Sequence, residues 1–320
     1  MGAPTNTTAA GSGTLADTVK TAYDRAALFA FRASNLFRAV ASYKAVNQTH
    51  PSNVVTFTKI SALANQTSAL SETADPSHLT LADATVSITM QEDGATTKNT
   101  KKLKLSSFLD VDMVAAYEIA RNMEDSLDVI ARDVLVAGTN VFYSGNATSR
   151  VTVGTDDEID AENVWRARAE LASGNAPPPM GSTDYVGFIH PDVSYDLQIE
   201  TGQQAWSAPH VYSDPENMYS GEIGRFGGVR FIETANAKVF ANASNGSGTD
   251  GTIDVYATLF VGLQALGEAV GEAQHLVIAG PFDDLQRFVS IGWYAYLGFG
   301  RIREESIWRL ESSSTIGANS

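Results

Sequence analysis

The chain has 320 residues, 43% of them hydrophobic and 18% charged, with a formal net charge of −15. That length can bury two or more real cores, and the composition excludes a disordered polymer. The absence of cysteine excludes disulfide staples and thiolate metal sites and fits a reducing cytoplasm, and no apolar run approaches the roughly 20 residues of a membrane helix. The opening Met1-Gly2-Ala3-Pro4-Thr5-Asn6-Thr7-Thr8 lacks the basic and apolar regions of a secretion signal. The six Asn-x-Ser/Thr triplets, at Asn6, Asn47, Asn65, Asn146, Asn242 and Asn245, are therefore read as chance.

Charge is unevenly spread: residues 1–108 hold 10 Lys/Arg and 7 Asp/Glu, residues 109–320 hold 12 and 30. A protein that grips nucleic acid by neutralising phosphates has the opposite balance. Two readings stay open, namely solubility with mutual repulsion of free copies, or a surface that tolerates a nearby polyanion without holding it.

In chain order, residues 1–15 read as a mobile Thr/Ala/Gly/Ser tail. From Ala16 to about Lys44, apolar residues recur at three- and four-residue steps, which predicts a helix. Arg25, Arg32 and Arg38 on it are either a solvated face or a contact surface. Residues 54–105 then read as one long polar excursion without a core of its own. It opens with Val54–Ile60 and returns through Thr85–Met90 and Lys102–Leu105 as strands. A two-stranded ribbon is marginal in water unless something covers one face, and arms of this length could project about 80 Å if fully extended. Such a ribbon makes sense lying on another molecule.

Asp110 is placed to cap a helix over 111–137, with Met113, Ala116, Ala120, Met123, Leu127, Ile130, Val134 and Ala137 as its stripe and Gly138 as a left-handed stop. Its small alanines suggest close packing against a sheet or a second helix. Short strands and turns over Val141–Val153 lead to a helix from about Ala161 to Ser173, and Pro177-Pro178-Pro179 marks a stiff boundary. Beyond it come a strand at Tyr185–Ile189, a helix near Asp192–Thr201, a glycine-rich stretch at Gly221–Thr234 and a flexible tip at Asn242–Gly251. Strands follow at Ile253–Val261 and Leu276–Ala279, and Phe288–Ile302 with Ser306–Leu310 reads as a terminal hairpin. Without regular βα alternation the expected class is α+β.

Chemical motifs are missing. His50, His78, His190, His210 and His275 are scattered, with no metal-ligand spacing. There is no Gly-x-Ser-x-Gly elbow, and Gly221–Gly228 has neither phosphate-loop nor dinucleotide spacing, so its glycines read as turning room. Asp250-Gly251-Thr252-Ile253 resembles the centre of a calcium loop, but Ala257 stands where a bidentate Glu belongs. Asp110/Asp112 and Asp156/Asp157/Glu158 fall where caps and turns ordinarily carry acids. No catalytic, cofactor-binding or metal site is expected, and no cofactor.

The order of parts nevertheless resembles a known family. Arm, long two-stranded loop, long helix, inserted second unit and return strands together look like the tailed-bacteriophage major capsid protein of the Hong Kong 97-type fold. Gly187-Phe-Ile-His-Pro-Asp-Val-Ser-Tyr-Asp-Leu197, Gly221–Thr234 and Val289-Ser-Ile-Gly-Trp-Tyr294 through Ile307-Trp-Arg-Leu-Glu311 are similar to the branch typified by the coliphage N-four major capsid protein. The similarity spans roughly residues 20–311; Tyr294 departs from it, standing where a Lys is expected.

The resemblance implies an N-terminal arm over 1–53 and an extended loop over 54–108. It implies a peripheral domain over 109–179 with its spine helix at 111–137, an axial domain over 180–281, and return strands with a C-terminal tail over 282–320. It implies a non-enzymatic protein whose identical copies form hexamers and pentamers, made in a bacterial host's cytoplasm and resident in the virion. Implied partners are a scaffolding function, a portal at one vertex, a decoration or cement protein and double-stranded DNA packaged without sequence-specific binding, with no membrane. In some relatives a loop lysine links covalently to a neighbour's asparagine. Lys59, Lys98, Lys101, Lys102 and Lys104 are available here, though lysines on an edge strand are also ordinary protection against aggregation. The competing readings are an encapsulin-like compartment shell, a secreted hydrolase with a β accessory domain, and a tail-tube protein.

Overall fold

The computed structural model describes residues 36–45, 52–61, 63–67, 69–70, 72–73, 78–107, 110–179, 183–200, 222–246, 252–281 and 283–316. Two mixed layers, each a sheet with helix packed on it, are built from this chain.

The first sheet has the order β1 (Ala41–Ala45), β11 (Leu266–Ala279), β12 (Phe288–Arg301), β4 (Gln91–Thr100). Against it lies α2 (Val111–Val136), capped by Asp110, whose side chain accepts from the Asp112 amide at 3.2 Å. Ile119 and Leu127 bury onto Trp293, Ala295 and Leu297 of β12, while the Trp293 indole donates to Asn122 Oδ1 at 3.0 Å. α2 does pack on a sheet, but through larger side chains than the stripe alanines: its buried line includes Ile119, Leu127, Asp128, Ala131 and Leu135, and Met113 of the expected stripe is 71% exposed. Gly138 does not turn left-handed: it is not among the described residues with positive φ, and the last carbonyls are taken by the Arg309 and Arg301 guanidiniums instead.

The second sheet runs β5 (Val141–Tyr143), β13 (Ile307–Ser312), β10 (Ile253–Val261), β6 (Tyr185–Ile189), β8 (Val229–Glu233), β7 (Glu222–Phe226), with β9 (Val239–Ser244) also on β10. It is covered by α3 (Ala161–Ser173) and α4 (Pro191–Ile199), whose Val164, Leu171, Val193 and Leu197 meet Phe231 and Phe260. The Gly227-Gly228 turn between β7 and β8 has φ of +59° and +79°, so the glycines provide turning room as expected.

Three crossovers join the layers at one waist: residues 137–140 from α2 to β5, 262–265 from β10 to β11, and 302–306 from β12 to β13. They bond to one another. Gly262 N donates to Ser306 O at 2.8 Å, Ile302 N to Ala265 O at 3.0 Å, and Asn140 Nδ2 to Glu304 O at 2.8 Å.

Several expectations change. Residues 288–310 are not a hairpin, because β12 and β13 belong to different sheets. Lys101–Ser106 forms the short helix α1 and not a return strand, capped by Thr100, whose hydroxyl accepts from Leu103 N at 3.2 Å. The excursion 54–105 is not one ribbon, since β4 pairs with β12 over Gln91–Thr100 as an integral edge of the first sheet. The ribbon proper is β2 (Val54–Ile60) against β3 (Asp83–Thr89), and it has a footing: Val55, Ile88 and Met90 bury on Ala269. Gly298 and Gly300 of β12 make this crossing possible. A Cβ at Gly300 would sit 2.7 Å from Ile88 Cγ1, and one at Gly298 would strike the Thr89 carbonyl. The helix expected over 16–44 ends in a single tight turn at Arg38–Val40 followed by strand β1, parallel to β11. Its span before residue 36, the tail at 1–15 and residues 247–251 of the expected tip lie outside the described residues, whereas Asn242–Ser244 is strand.

Candidate assembly surface

The sequence offered no catalytic residues, and several titratable groups among the described residues have local partners. His190 caps α4, its Nδ1 accepting from Asp192 N at 3.2 Å, and burial pushes its pKa down. His275 packs edge-on to Tyr294 across β11 and β12, with ring centroids 5.9 Å apart, while His78 lies exposed in the loop. His50, His210 and Asp250-Gly251 lie outside the described residues. Asp112 receives Lys104 Nζ at 2.5 Å and Asn99 Nδ2 at 3.0 Å, and these bonds hold its carboxyl below the usual range. Asp157 Oδ2 accepts from Gly154 N at 2.7 Å. Among the described residues no group of three or more His, Asp or Glu is placed to hold a metal, and no helix is long and apolar enough to cross a membrane.

The described residues expose apolar surface at several places, Leu276–Ile278 of β11 among them, and two of these places bear on assembly. The first is the loop closing the β2–β3 ribbon. Ser61 N donates to Ala82 O at 2.9 Å, and the described residues beyond that bond carry neither helix nor strand. Ile60, Leu70 and Leu81 are 70%, 70% and 72% exposed, with Leu63 and Leu79 also open. Burying one such leucine is worth about 1.5–3 kcal/mol, so the loop carries unused binding energy. Its ribbon is steadied by Lys59 Nζ, 3.0 Å from Glu305 Oε1.

The second place is one end of the first sheet, where α1 meets the start of β12. Thr100, Lys101, Lys102, Leu105, Arg287 and Phe288 line a groove of about 610 Å³ there. Leu105 and Leu285 are largely exposed beside it. Of the five lysines noted for the loop, Lys101, Lys102 and Lys104 therefore stand on α1 and Lys98 on β4; only Lys59 is on the ribbon. Sequence reasoning missed this groove because Lys102–Leu105 alternates as a strand would.

A third feature concerns the N-terminal segment. Asp128, fully buried on α2, accepts backbone N–H groups from Leu36, Phe37 and Arg38 at 3.0, 2.8 and 3.2 Å through a single Oδ1. Arg38 then reaches Glu268 Oε1 at 2.5 Å and Gln274 at 3.1 Å on β11. The segment leading out of residues 1–35 is thereby locked to the long helix and the sheet. Among the aspartates read as caps and turns, Asp128 was not singled out, because its partners are backbone groups some 90 residues away.

Two layers welded at the waist, with apolar side chains exposed at their edges, form a frame suited to packing against other molecules. The sequence matches the family model for phage capsid protein over residues 14–303, and the chain belongs to that family. No curated protein matches it in sequence. Solved structures share the fold. The capsid of Ralstonia phage GP4 matches with a TM-score of 0.74 and 13% identity, covering 98% of this chain and 100% of that one. The cyanophage Pam1 capsid matches at 0.69 and 13%, covering 94% and 98%, and the cyanophage P-SCSP1u capsid at 0.68 and 15%, covering 96% of each. The fold is the Hong Kong 97-type capsid fold expected from the sequence, and the matches identify the capsid family without singling out the N-four branch. The chain is a phage major capsid protein: a structural protein, not an enzyme, whose copies build the virion shell.

Proposed function

We propose that the chain assembles into hexamers and pentamers that close an icosahedral shell around the double-stranded DNA of a tailed phage, within the N-four branch. The observation that carries this is the loop at 61–82, whose leucines Leu63, Leu70, Leu79 and Leu81 are 47%, 70%, 47% and 72% exposed. Laid across a neighbour, it gains the burial it lacks alone, and heterologous contacts of this kind close into rings and rings into a shell. The net acidity of residues 109–320 suits a wall that faces packed DNA without gripping it. A scaffolding function, a portal at one vertex and a decoration or cement protein complete the proposed set of partners, and synthesis takes place in the host cytoplasm.

The domain division proposed is an arm over 1–53, the extended loop within 54–108, a peripheral domain built on the spine helix from 109–179, an axial domain from 180–281, and return strands and tail over 282–320. Sheet membership supports a refinement: β4 and β11 go with the peripheral layer, and β5 and β13 with the axial one.

The test is a deletion of residues 62–81, closed by a two-residue turn across the Ser61–Ala82 bond. It spares β4, whose loss would unfold the first sheet. The expected result is a folded, soluble subunit that forms no shells by negative-stain microscopy. Normal shells from this variant overturn the proposal.

A further inference from the structure

The β2–β3 ribbon is held by its own subunit at two points, and the two belong to different parts of the frame. Its base rests on the first sheet along a track with no side chain larger than a methyl group. Gly267, Ala269 and Gly271 of β11 lie there beside Gly298 and Gly300 of β12, with Gly267 paired to Gly300 and Ala269 to Gly298. A Cβ at Gly267 would come 3.0 Å from Ile88 Cδ1 and one at Gly271 3.2 Å from Met90 Sδ, while Thr89 and Ile88 cover Gly298 and Gly300. Glycine inside a strand commonly marks such a close approach of another backbone. Val55, Ile88 and Met90 are buried as a result.

The second point lies further along the ribbon. Lys59 Nζ sits 3.0 and 3.1 Å from the two Glu305 carboxylate oxygens. Glu305 stands in the 302–306 crossover, and a Cβ on Gly174, at the end of α3, would lie 3.5 Å from Glu305 Cβ. This residue is therefore in touch with the second layer, whereas the glycine track belongs to the first. A change in the angle between the layers displaces one point against the other. The ribbon then either swings with the crossover or gives up its ion pair.

We propose that β2–β3 is a strap, seated on the glycine track and latched by Lys59 to the crossover, so that the ribbon's heading is set within one subunit and follows the angle between its layers. All the partners lie in one chain, so this stands apart from whatever the loop beyond the ribbon contacts. An exposed ion pair shifts such an equilibrium by no more than about fivefold, which makes the latch reversible while the seat stays closed.

The experiment uses the full-length chain, dilute and unassembled. The chain has no cysteine, and a Cβ at Gly300 would lie 3.6 Å from Ile88 Cβ, inside the roughly 3.5–4.5 Å that a disulfide spans. Ile88→Cys/Gly300→Cys should therefore lose its free thiols on mild oxidation as a single chain; thiols that persist overturn the seat. Lys59→Glu should raise hydrogen exchange at the ribbon amides about two- to fivefold and leave α2 unchanged, with Glu305→Lys in the same chain restoring it. Unchanged exchange in the ribbon of Lys59→Glu overturns the latch. Coupling is read at the crossovers, where Gly262 N donates to Ser306 O and Ile302 N to Ala265 O. Closing the disulfide should slow exchange at these two amides by about twofold or more, and Lys59→Glu should abolish the slowing. Equal slowing with and without Lys59, or none in either, overturns the coupling and leaves a ribbon that is merely seated.

Discussion

Replacing Asp128 by Ala should loosen the N-terminal segment from the body of the subunit. One buried oxygen serves three consecutive amides, Leu36, Phe37 and Arg38. Leaving a buried donor without an acceptor costs about 1–3 kcal/mol each, but the segment can shift and let water reach some of them. Set against this, burial of the carboxylate is itself unfavourable: it pushes the Asp128 pKa above its ordinary value despite the three bonds, and that cost disappears with the side chain. The net expectation is a loss of about 2–4 kcal/mol, the orphaned amides less the relief of the buried carboxylate. Phe37, fully buried with its ring 4.6 Å from that of Phe188, should become exchangeable with solvent in the same step. Urea unfolding of the free subunit followed by tryptophan fluorescence gives the magnitude, and hydrogen exchange at the three amides gives the place. The Asn variant keeps an accepting oxygen and should lose only about 1 kcal/mol at neutral pH. Its deficit has a defined pH dependence. A carboxyl whose folded pKa is raised stabilises most below its unfolded value of 3.8 and loses that contribution as pH rises through the folded one. The gap between wild type and Asn variant should therefore widen from about pH 7 to about pH 4. Unchanged protection of amides 36–38 in the Ala variant refutes the anchoring argument.

Glu311 is fully buried and takes Arg150 at 2.8 and 2.6 Å, with Arg309 Nε 2.8 Å away; Glu311→Ala should cost about 3–5 kcal/mol by urea titration, and Glu311→Gln distinctly less. Gly227→Ala forces a left-handed residue and sets a Cβ 2.8 Å from Trp165 Cδ1, so a loss of at least about 1–2 kcal/mol is expected in thermal melts. His190, its pKa lowered by burial, contributes stability present above its unfolded value of 6.5 and lost as pH falls through the lower folded value. Melting temperature of the subunit should therefore drop on acidification through that window, and His190→Asn, which can still cap α4, should flatten the slope.

Much of the second layer was legible. α3 begins and ends at the expected residues, β6 and β10 likewise, and the Gly227-Gly228 turn was marked by composition, because amphipathic period, caps and glycine pairs are local signals. The first layer was less so. β4 reads Gln-Glu-Asp-Gly-Ala-Thr-Thr-Lys-Asn-Thr, with strand propensity only in its threonines, and becomes a strand because β12 offers it a full ladder. The first half of β11, Leu266–His275, is interrupted by Gly267, Gly271 and two register shifts, so only its apolar end stood out. α1 was mistaken for a strand since six residues cannot establish a helical period. The groove it lines could not be seen before α1 and β12 were brought together, and the Asp128 anchor depends on a fold-level meeting that no spacing encodes.

The waist has a consequence for the particle. Three chain crossings are cross-bonded there within a few residues, and a shared core in which Leu135 and Val136 of α2 meet Phe188 and Leu259 packs beside them, so the dihedral angle between the two layers is held by crossings and core together. A closed surface of many identical plates needs slightly different local bends at its corners and its flats. In this molecule such tilting falls on that joint or on the contacts between copies, and stiffening the joint would tune the radius of the whole vessel.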